Sequence, residues 1–292
     1  MNGGCLDGSD DLRQPASSCA TDEMLNLAAR QRACEDTITR TPSIAATSST
    51  PSLILSSTFI PSLLPPLIPS HPLYPSLTRP QIKIHNSDTF ALARTLPFSQ
   101  GKTGVLNLAS ETRRAGGWRH TLSTTQEEAL CYSSTLYETL KEEWYPFPSN
   151  SCAAIFSPEV VVFKDTLANN LVDLPLESRH SVAVITIAAP RWPAVTSDGK
   201  DFAKESDLQE LQQKVLLMLR LAATNGVTNL VLGAMGCGAF GCPPRAVARE
   251  IKSALESAEF EGWFENVVFA VYAAGPVGEK NLRVFKEVFE DA

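Results

Sequence analysis

After Pro80 the chain alternates short apolar runs with longer amphipathic ones, and this alternation limits the possible folds more than any other feature. The strand-like runs are Ile82 to Ile84, Val105 to Ala109, Val160 to Phe163, Val182 to Ala188, Leu230 to Leu232 and Val267 to Tyr272. Helical segments fall between them. Ser87 is placed to cap one that runs to about Leu96, a second follows Gln126, and Leu208, Leu211, Val215, Leu219 and Ala222 share one face of a third. Pro244 suits the first turn of the next, and Leu282, Phe285 and Phe289 mark the last. Strands separated by helices bury both faces of one sheet, so the sequence predicts a three-layer α/β/α sandwich in a single domain over residues 81–292.

Upstream the pattern changes. Residues 41–80 are dominated by Pro, Ser, Thr and Leu, including the run from Ile60 to Pro69 that holds four prolines. Repeated proline removes backbone donors and interrupts both helix and strand, so this segment is expected to be a disordered linker. Its apolar content is odd for ordinary disorder, and translated non-coding sequence is the alternative. Residues 1–40 form an N-terminal extension with one expected helix between Glu23 and Ile38, where Leu27, Arg30, Ala33 and Cys34 fall near one face.

The formal net charge of −7 argues against binding along a nucleic-acid backbone, which needs a basic surface to release counterions. An anionic ligand must therefore be held locally, and no DNA partner is expected. The seven cysteines have neither zinc-type nor disulfide-scaffold spacing, so no metal or other cofactor is expected. Met1 to Asp11 lack the basic start and apolar run of a secretory signal. A soluble, monomeric cytoplasmic or nuclear protein away from membranes follows.

Chemistry is concentrated in two glycine loops. In the first, Gly116 and Gly117 are followed after eight residues by Gln126, Glu127 and Glu128. Glycines let a backbone approach a ligand and offer N–H groups to anions, while paired carboxylates are the usual means of cleaving a glycosidic bond. Thr124 with Glu127, or Thr125 with Glu128, also fits the capping box of a helix start. The helix is supported by Ala129, Ser133, Leu136 and Leu140, which recur at steps of four, three and four. The second loop, Gly233 to Gly241, follows a strand and contains a literal G-x-G-x-x-G at Gly236, Gly238 and Gly241. A dinucleotide fold wants that fingerprint early, with an acidic residue at the end of the next strand. Here it lies late, and Glu259 and Glu261 precede the next strand. The remaining expectation is a strand-to-helix turn whose N–H groups cradle a diphosphate, with a packing-only turn as the alternative.

Together, Asn107-Leu-Ala-Ser110, Ala115-Gly-Gly117, Gln126-Glu-Glu128 and Gly236-Cys-Gly-Ala-Phe240 resemble the microbial-type poly(ADP-ribose) glycohydrolases of the macrodomain superfamily. The similarity runs from about Pro80 to Val288. It departs at the catalytic loop: the family has three glycines where this chain begins with Ala115, the spacer of eight is at the long end, and Arg113, Arg114, Arg119 and His120 make the loop unusually basic. The resemblance implies a macrodomain-type sandwich with a mixed central sheet that hydrolyses the ribose–ribose bond of poly(ADP-ribose). Glu128 would be the catalytic acid, and Glu127 would hold the ribose. Gly116 and Gly117 would approach ribose and diphosphate, and Gly236, Cys237, Gly238, Ala239 and Phe240 would wrap the diphosphate. Asn107, Ser110 and Gln126 would bind substrate, and Tyr272 stands where the family has an aromatic near the ribose. As an acid Glu128 would need a raised pKa, against the helix dipole, from burial and from the charge of Glu127.

Mono-ADP-ribosyl hydrolysis and ADP-ribose binding without cleavage are the alternatives. Other residues carry competing readings. Arg113, Arg114 and Arg119 either meet phosphates of a second ADP-ribose unit or form a solvated turn. Trp118 either stacks on a base or packs under the loop. Cys237 lacks a nearby base and is expected to be a small buried residue, and His120 a solvated one.

Overall fold

The computed structural model describes residues 25–48, 50–96, 101–148 and 151–290. Seven strands form one sheet: β1 (Thr58–Ile60), β2 (Ile82–His85), β3 (Lys102–Leu108), β4 (Ala154–Val162), β5 (His180–Ile187), β6 (Val227–Leu232) and β7 (Asn266–Ala270). Their order is β1-β4-β5-β3-β6-β7-β2. Neighbours from β5 through β3, β6 and β7 to β2 are parallel, whereas β4 pairs antiparallel with β5 and β1 antiparallel with β4. The sheet is therefore mixed, as expected.

Successive residues of a strand face opposite sides, and the core divides accordingly. Val105 of β3 packs with α1 (Leu27–Ala46), α3 (Thr89–Thr95) and α4 (Gln126–Ser133), through Cys34, Phe90 and Leu130 among others. Its neighbour Leu106 faces the other layer, where α6 (Glu205–Thr224), α7 (Pro244–Glu256) and α8 (Gly275–Glu290) supply Val215, Val247 and Phe285. Burying each such side chain contributes about 1.5–3 kcal/mol. From β3 the chain builds β4 and β5 on one side, then crosses to β6 and β7 on the other. A crevice opens at such a reversal, at the carboxyl ends of the strands, and ligands of open α/β sheets bind there.

Several local expectations shift. The first helix of the main domain is capped by Asp88, not Ser87: the Asp88 carboxylate accepts from Phe90 and Ala91 N–H. The helix after Gln126 stops at Ser133, because Ser134 is extended and turns its hydroxyl onto the Leu130 carbonyl. Leu136 thus belongs to a separate turn, α5 (Leu136–Thr139), and Leu140 lies just beyond it. β4 begins at Ala154, ahead of the expected Val160, with an irregular register between Ser157 and Val160 around Pro158.

The largest correction concerns residues 41–80, which are not a disordered linker. α1 continues through Thr41 and Pro42 to Ala46, and Ile44, Ala45 and Ile54 of α2 (Pro51–Ile54) pack on Val161 and Phe163. β1 then adds a strand to the β4 edge. Beyond it, Leu67 is buried in the main core, and Arg220 holds both the Leu64 carbonyl and Glu259, which accepts the Leu67 N–H. Tyr74 meets Trp263 edge-on at 5.2 Å. Proline cannot build regular structure by itself, but an extended proline-rich chain can lie along a sheet edge and bury its Leu and Ile side chains on a preformed domain.

The N-terminal helix is likewise part of the domain. Buried Lys164 reaches Asp36 at 2.7 Å and the Thr37 hydroxyl at 2.9 Å, and Thr37 in turn donates to the Tyr132 carbonyl. Among the described residues no helix is long and apolar enough to cross a membrane.

Candidate active site

At the end of β3 the chain leaves the sheet as a tight loop closed by its own amides. Gly116 N–H bonds the Arg113 carbonyl, and the Gly117 carbonyl collects the N–H groups of His120, Thr121 and Leu122. Ala115 and Gly116 both take left-handed conformations, with φ +54° and +56°. At Gly116 glycine is required by space as well: a Cβ would stand 2.6 Å from Glu128 Oε1 and 3.0 Å from Glu127 Oε2. Ala115, in place of the first glycine of the resemblance, is fully buried and holds a conformation that non-glycine residues seldom adopt.

The loop is anchored from beneath. Trp118 is buried against Tyr132 and Tyr137, so it packs and does not stack on a ligand. α1 grips the same loop, with Cys34 Sγ on the Trp118 carbonyl and the Arg30 guanidinium on the Leu122 carbonyl. Arg114 is drawn inward, its guanidinium lying 3.7 Å from the Tyr137 ring centroid and donating to the Tyr137 carbonyl. Arg113, Arg119 and His120 remain exposed, so the expected trio of phosphate-facing arginines is reduced to two.

Both glutamates are buried at the start of α4, Glu127 3% and Glu128 4% exposed. Glu127 accepts Ser110 N–H at 2.8 Å and, at 3.4 Å, the Asn107 amide, which the Thr186 hydroxyl steadies from β5. Glu128 accepts Gly117 N–H at 2.8 Å, and its second oxygen takes the Thr125 hydroxyl. The capping-box pair therefore bonds side chain to side chain, since the Thr125 hydroxyl makes no cap bond to the helix backbone. Burial first, and then the charge of Glu128, push the Glu127 carboxyl up to about 8, against the pull of the Ser110 and Asn107 bonds.

Gln126 does not face the crevice with its neighbours. Its amide oxygen accepts Leu108 N–H, and its nitrogen donates to the Leu106 carbonyl and the Thr89 hydroxyl. It fastens α4 to the end of β3.

The second loop follows β6, the strand beside β3, so the two glycine loops rise from adjacent strand ends. Gly236 is there for packing, because a Cβ would lie 2.5 Å from Ala189 and 2.7 Å from the Cys242 sulfur. Gly238 differs: a Cβ on it would meet nothing within 4 Å. Gly238 and Ala239 are exposed and Phe240 is half-buried. Cys237 is buried, its thiol pushed well up by that burial, which fits packing and not nucleophilic attack. Tyr272 lies two residues past β7, 55% exposed at the same end of the sheet.

Thus Asn107 and Ser110 bond Glu127, Gly117 bonds Glu128, and Gly116 packs against both carboxylates, with the second loop beside them. Sequence reasoning missed Thr186, because a threonine inside an apolar strand carries no signal of its partner. It also missed Trp192, which follows β5 and hydrogen-bonds the second loop. The Pro-Arg-Trp-Pro run after that strand was the available sign.

Residues 25–165 match the family model of the microbial-type PARG catalytic domain. The chain is similar in structure to poly(ADP-ribose) glycohydrolase from Thermomonospora curvata, with a TM-score of 0.71, 26% identity, and coverage of 90% of this chain and 100% of that one. The same enzyme bound to the inhibitor ADP-HPD matches with 27% identity at the same TM-score and coverage. Poly(ADP-ribose) glycohydrolase from Deinococcus radiodurans in complex with ADP-ribose matches with a TM-score of 0.66 and 28% identity, over 82% of this chain and 96% of that one. No curated protein matches by sequence.

Proposed function

We propose that the chain is a microbial-type poly(ADP-ribose) glycohydrolase, as its matched segment and its fold support, and that it releases ADP-ribose from the polymer with Glu128 as general acid and base. The observation that carries this reading is the buried Glu127–Glu128 pair, packed so closely under the glycine loop that only a glycine fits at position 116. Cleaving a glycosidic bond requires a proton for the departing oxygen as the ribose takes on oxocarbenium character. Glu128 supplies it and then takes a proton from the incoming water, while Gly117 N–H and the Thr125 hydroxyl hold its two oxygens in place. Glu127, fixed by Ser110 and Asn107, accepts from ribose hydroxyls.

Burial pushes the Glu127 carboxyl up to about 8, so Glu127 loses its proton as pH rises through about 8 and a new negative charge then stands where the ribose is held; turnover should fall on the same limb. The sign for stability follows from the raised value. Contribution from this group is full below its ordinary value of 4.5 and is lost as pH rises through about 8. Glu127→Gln should therefore be more stable than wild type at pH 8 and flatten the stability slope between these limits. Thermal unfolding from pH 5 to 9 measures this, and an unchanged slope would remove the burial argument.

A binding module would share the glycine loops but would have no use for two buried carboxylates, which cost stability when desolvated. Cleavage is thus favoured over simple recognition. The direct test is release of free ADP-ribose from poly(ADP-ribose) and from mono-ADP-ribosylated protein. Release from the polymer is expected, and release from the mono-modified protein alone would move the assignment to that substrate. For the second loop, Gly238→Val is expected to weaken ADP-ribose binding at least tenfold with little change in melting temperature, because its Cβ enters open space where the diphosphate would lie. Unchanged affinity in calorimetry would withdraw this loop from the binding site.

A further inference from the structure

The loop after β5 carries an exposed aromatic that the reaction above does not use. Trp192 is 68% exposed, the most exposed Trp, Phe or Tyr side chain among the described residues, and it adopts φ +50°, a costly backbone conformation for a non-glycine residue. It is nevertheless held firmly. Its backbone N–H bonds the Phe240 carbonyl at 2.8 Å, and its indole N–H bonds the Ala239 carbonyl at 3.0 Å. The same loop is locked to the second glycine loop by Cys242 Sγ on the Pro190 carbonyl. The Arg191 guanidinium lies 4.2 Å from the Trp192 ring centroid and 5.7 Å from that of Phe240. One ring face is thus backed by a cation, and much of the residue is left open to a partner.

Position tells which partner. β5 and β6 flank β3, the strand that carries the glutamate pair. Tyr272 follows β7, on the β6 side, while Trp192 follows β5, on the opposite side. Both exposed aromatics thus lie at the strand ends where the two carboxylates sit, on different strands, with Trp192 bonded to the second glycine loop. A single ADP-ribose has one base, and a chain cut between riboses has a second base on the departing side. We propose that Trp192, with Arg191 behind it, is a stacking platform for the adenine of the ADP-ribose unit next to the scissile bond, so that it selects polymer over free ADP-ribose. This rests on the glycohydrolase reading. A π-face offered by a fixed indole, beside a cation for the adjoining pyrophosphate, matches the chemistry of a nucleobase on a phosphate chain.

The test uses the full chain carrying Glu128→Gln to prevent turnover, with calorimetric titration of ADP-ribose and of a two-unit ADP-ribose oligomer. Adding Trp192→Ala should weaken the oligomer about 5- to 150-fold more than it weakens ADP-ribose, the value of one base–aromatic stack beyond the lost indole bond to Ala239. Trp192→Phe, which keeps a ring, should retain most of the oligomer affinity. Without any second variant, the oligomer should quench tryptophan emission more than ADP-ribose does, because Trp118 and Trp263 are buried and Trp144 is half-buried and stacked on Phe59, which leaves Trp192 as the exposed indole. Equal weakening of both ligands by Trp192→Ala, or no weakening of either, overturns the platform. Failure of both ligands to bind the parent Glu128→Gln protein would overturn the glycohydrolase reading itself, and the platform with it.

Discussion

Replacing Glu128 with Gln should lower turnover of poly(ADP-ribose) by about 10²–10⁴ while ADP-ribose binding changes by no more than a few-fold, because one proton donor is lost and almost nothing else. The amide that replaces the carboxyl would keep an oxygen to accept the Gly117 N–H, and its volume matches the slot that leaves no room for a Cβ on Gly116. The melting temperature should not fall, since the amide matches the carboxyl in size and the Gly117 N–H keeps its acceptor. Turnover and calorimetry on the same preparation separate chemistry from binding. A Glu128→Gln enzyme within tenfold of wild type would end the assignment of this residue as acid and base. Glu127→Gln is a useful companion: Glu127 is tied to Ser110 and Asn107 and not to the glycine loop, so its loss should raise KM as well as lower kcat.

The contrast between the two glutamates shows what the sequence could and could not reveal. Their adjacency, the glycines ahead of them and the helix start were all legible, because spacing along a chain fixes which groups share a turn. Which carboxylate lies deeper in hydrogen bonds was not legible. Asn107 and Thr186 sit on different strands, and their contact depends on β3 and β5 being neighbours. The raised pKa of Glu127, pushed up to about 8 by burial beside the end of β3, was not foreseen from the sequence either. The bonds of Gln126 were hidden for the same reason. Its place in the motif suggested substrate, but a side-chain amide beside an unfinished strand end satisfies the Leu106 carbonyl and Leu108 N–H.

Fold class was readable from the alternation of periods, and boundaries drifted where one residue altered the local geometry. Asp88 outcompeted Ser87 as a cap by accepting two N–H groups at once. Pro158 hid the first half of β4, because proline in a strand usually argues against one. The strand survives because its register breaks at that point, so the missing donor is not needed.

The proline-rich segment gives the second large effect, and the outcome expected is the opposite of what its composition suggests. Deleting residues 41–79 should abolish cooperative folding. The deletion removes β1 from the sheet and leaves the β4 edge unpaired, a surface prone to association. It also strips Ile54 from its small core and Leu67 from the main one, each burial worth about 1.5–3 kcal/mol. Arg220, 6% exposed, would lose the Leu64 carbonyl and keep only Glu259 to compensate its charge. Set against a typical net stability of about 5–15 kcal/mol, these losses are enough to unfold the domain. Milder versions should scale: Ile54→Ala and Leu67→Ala are each expected to cost about 2–5 kcal/mol by denaturant unfolding. Because α1 also grips the catalytic loop through Cys34 and Arg30, partial unfolding at this end should reach the glutamates and lower turnover before the sheet melts. A deletion protein that is soluble, melts cooperatively near the wild-type temperature and cleaves polymer would show that the segment covers the domain without holding it together.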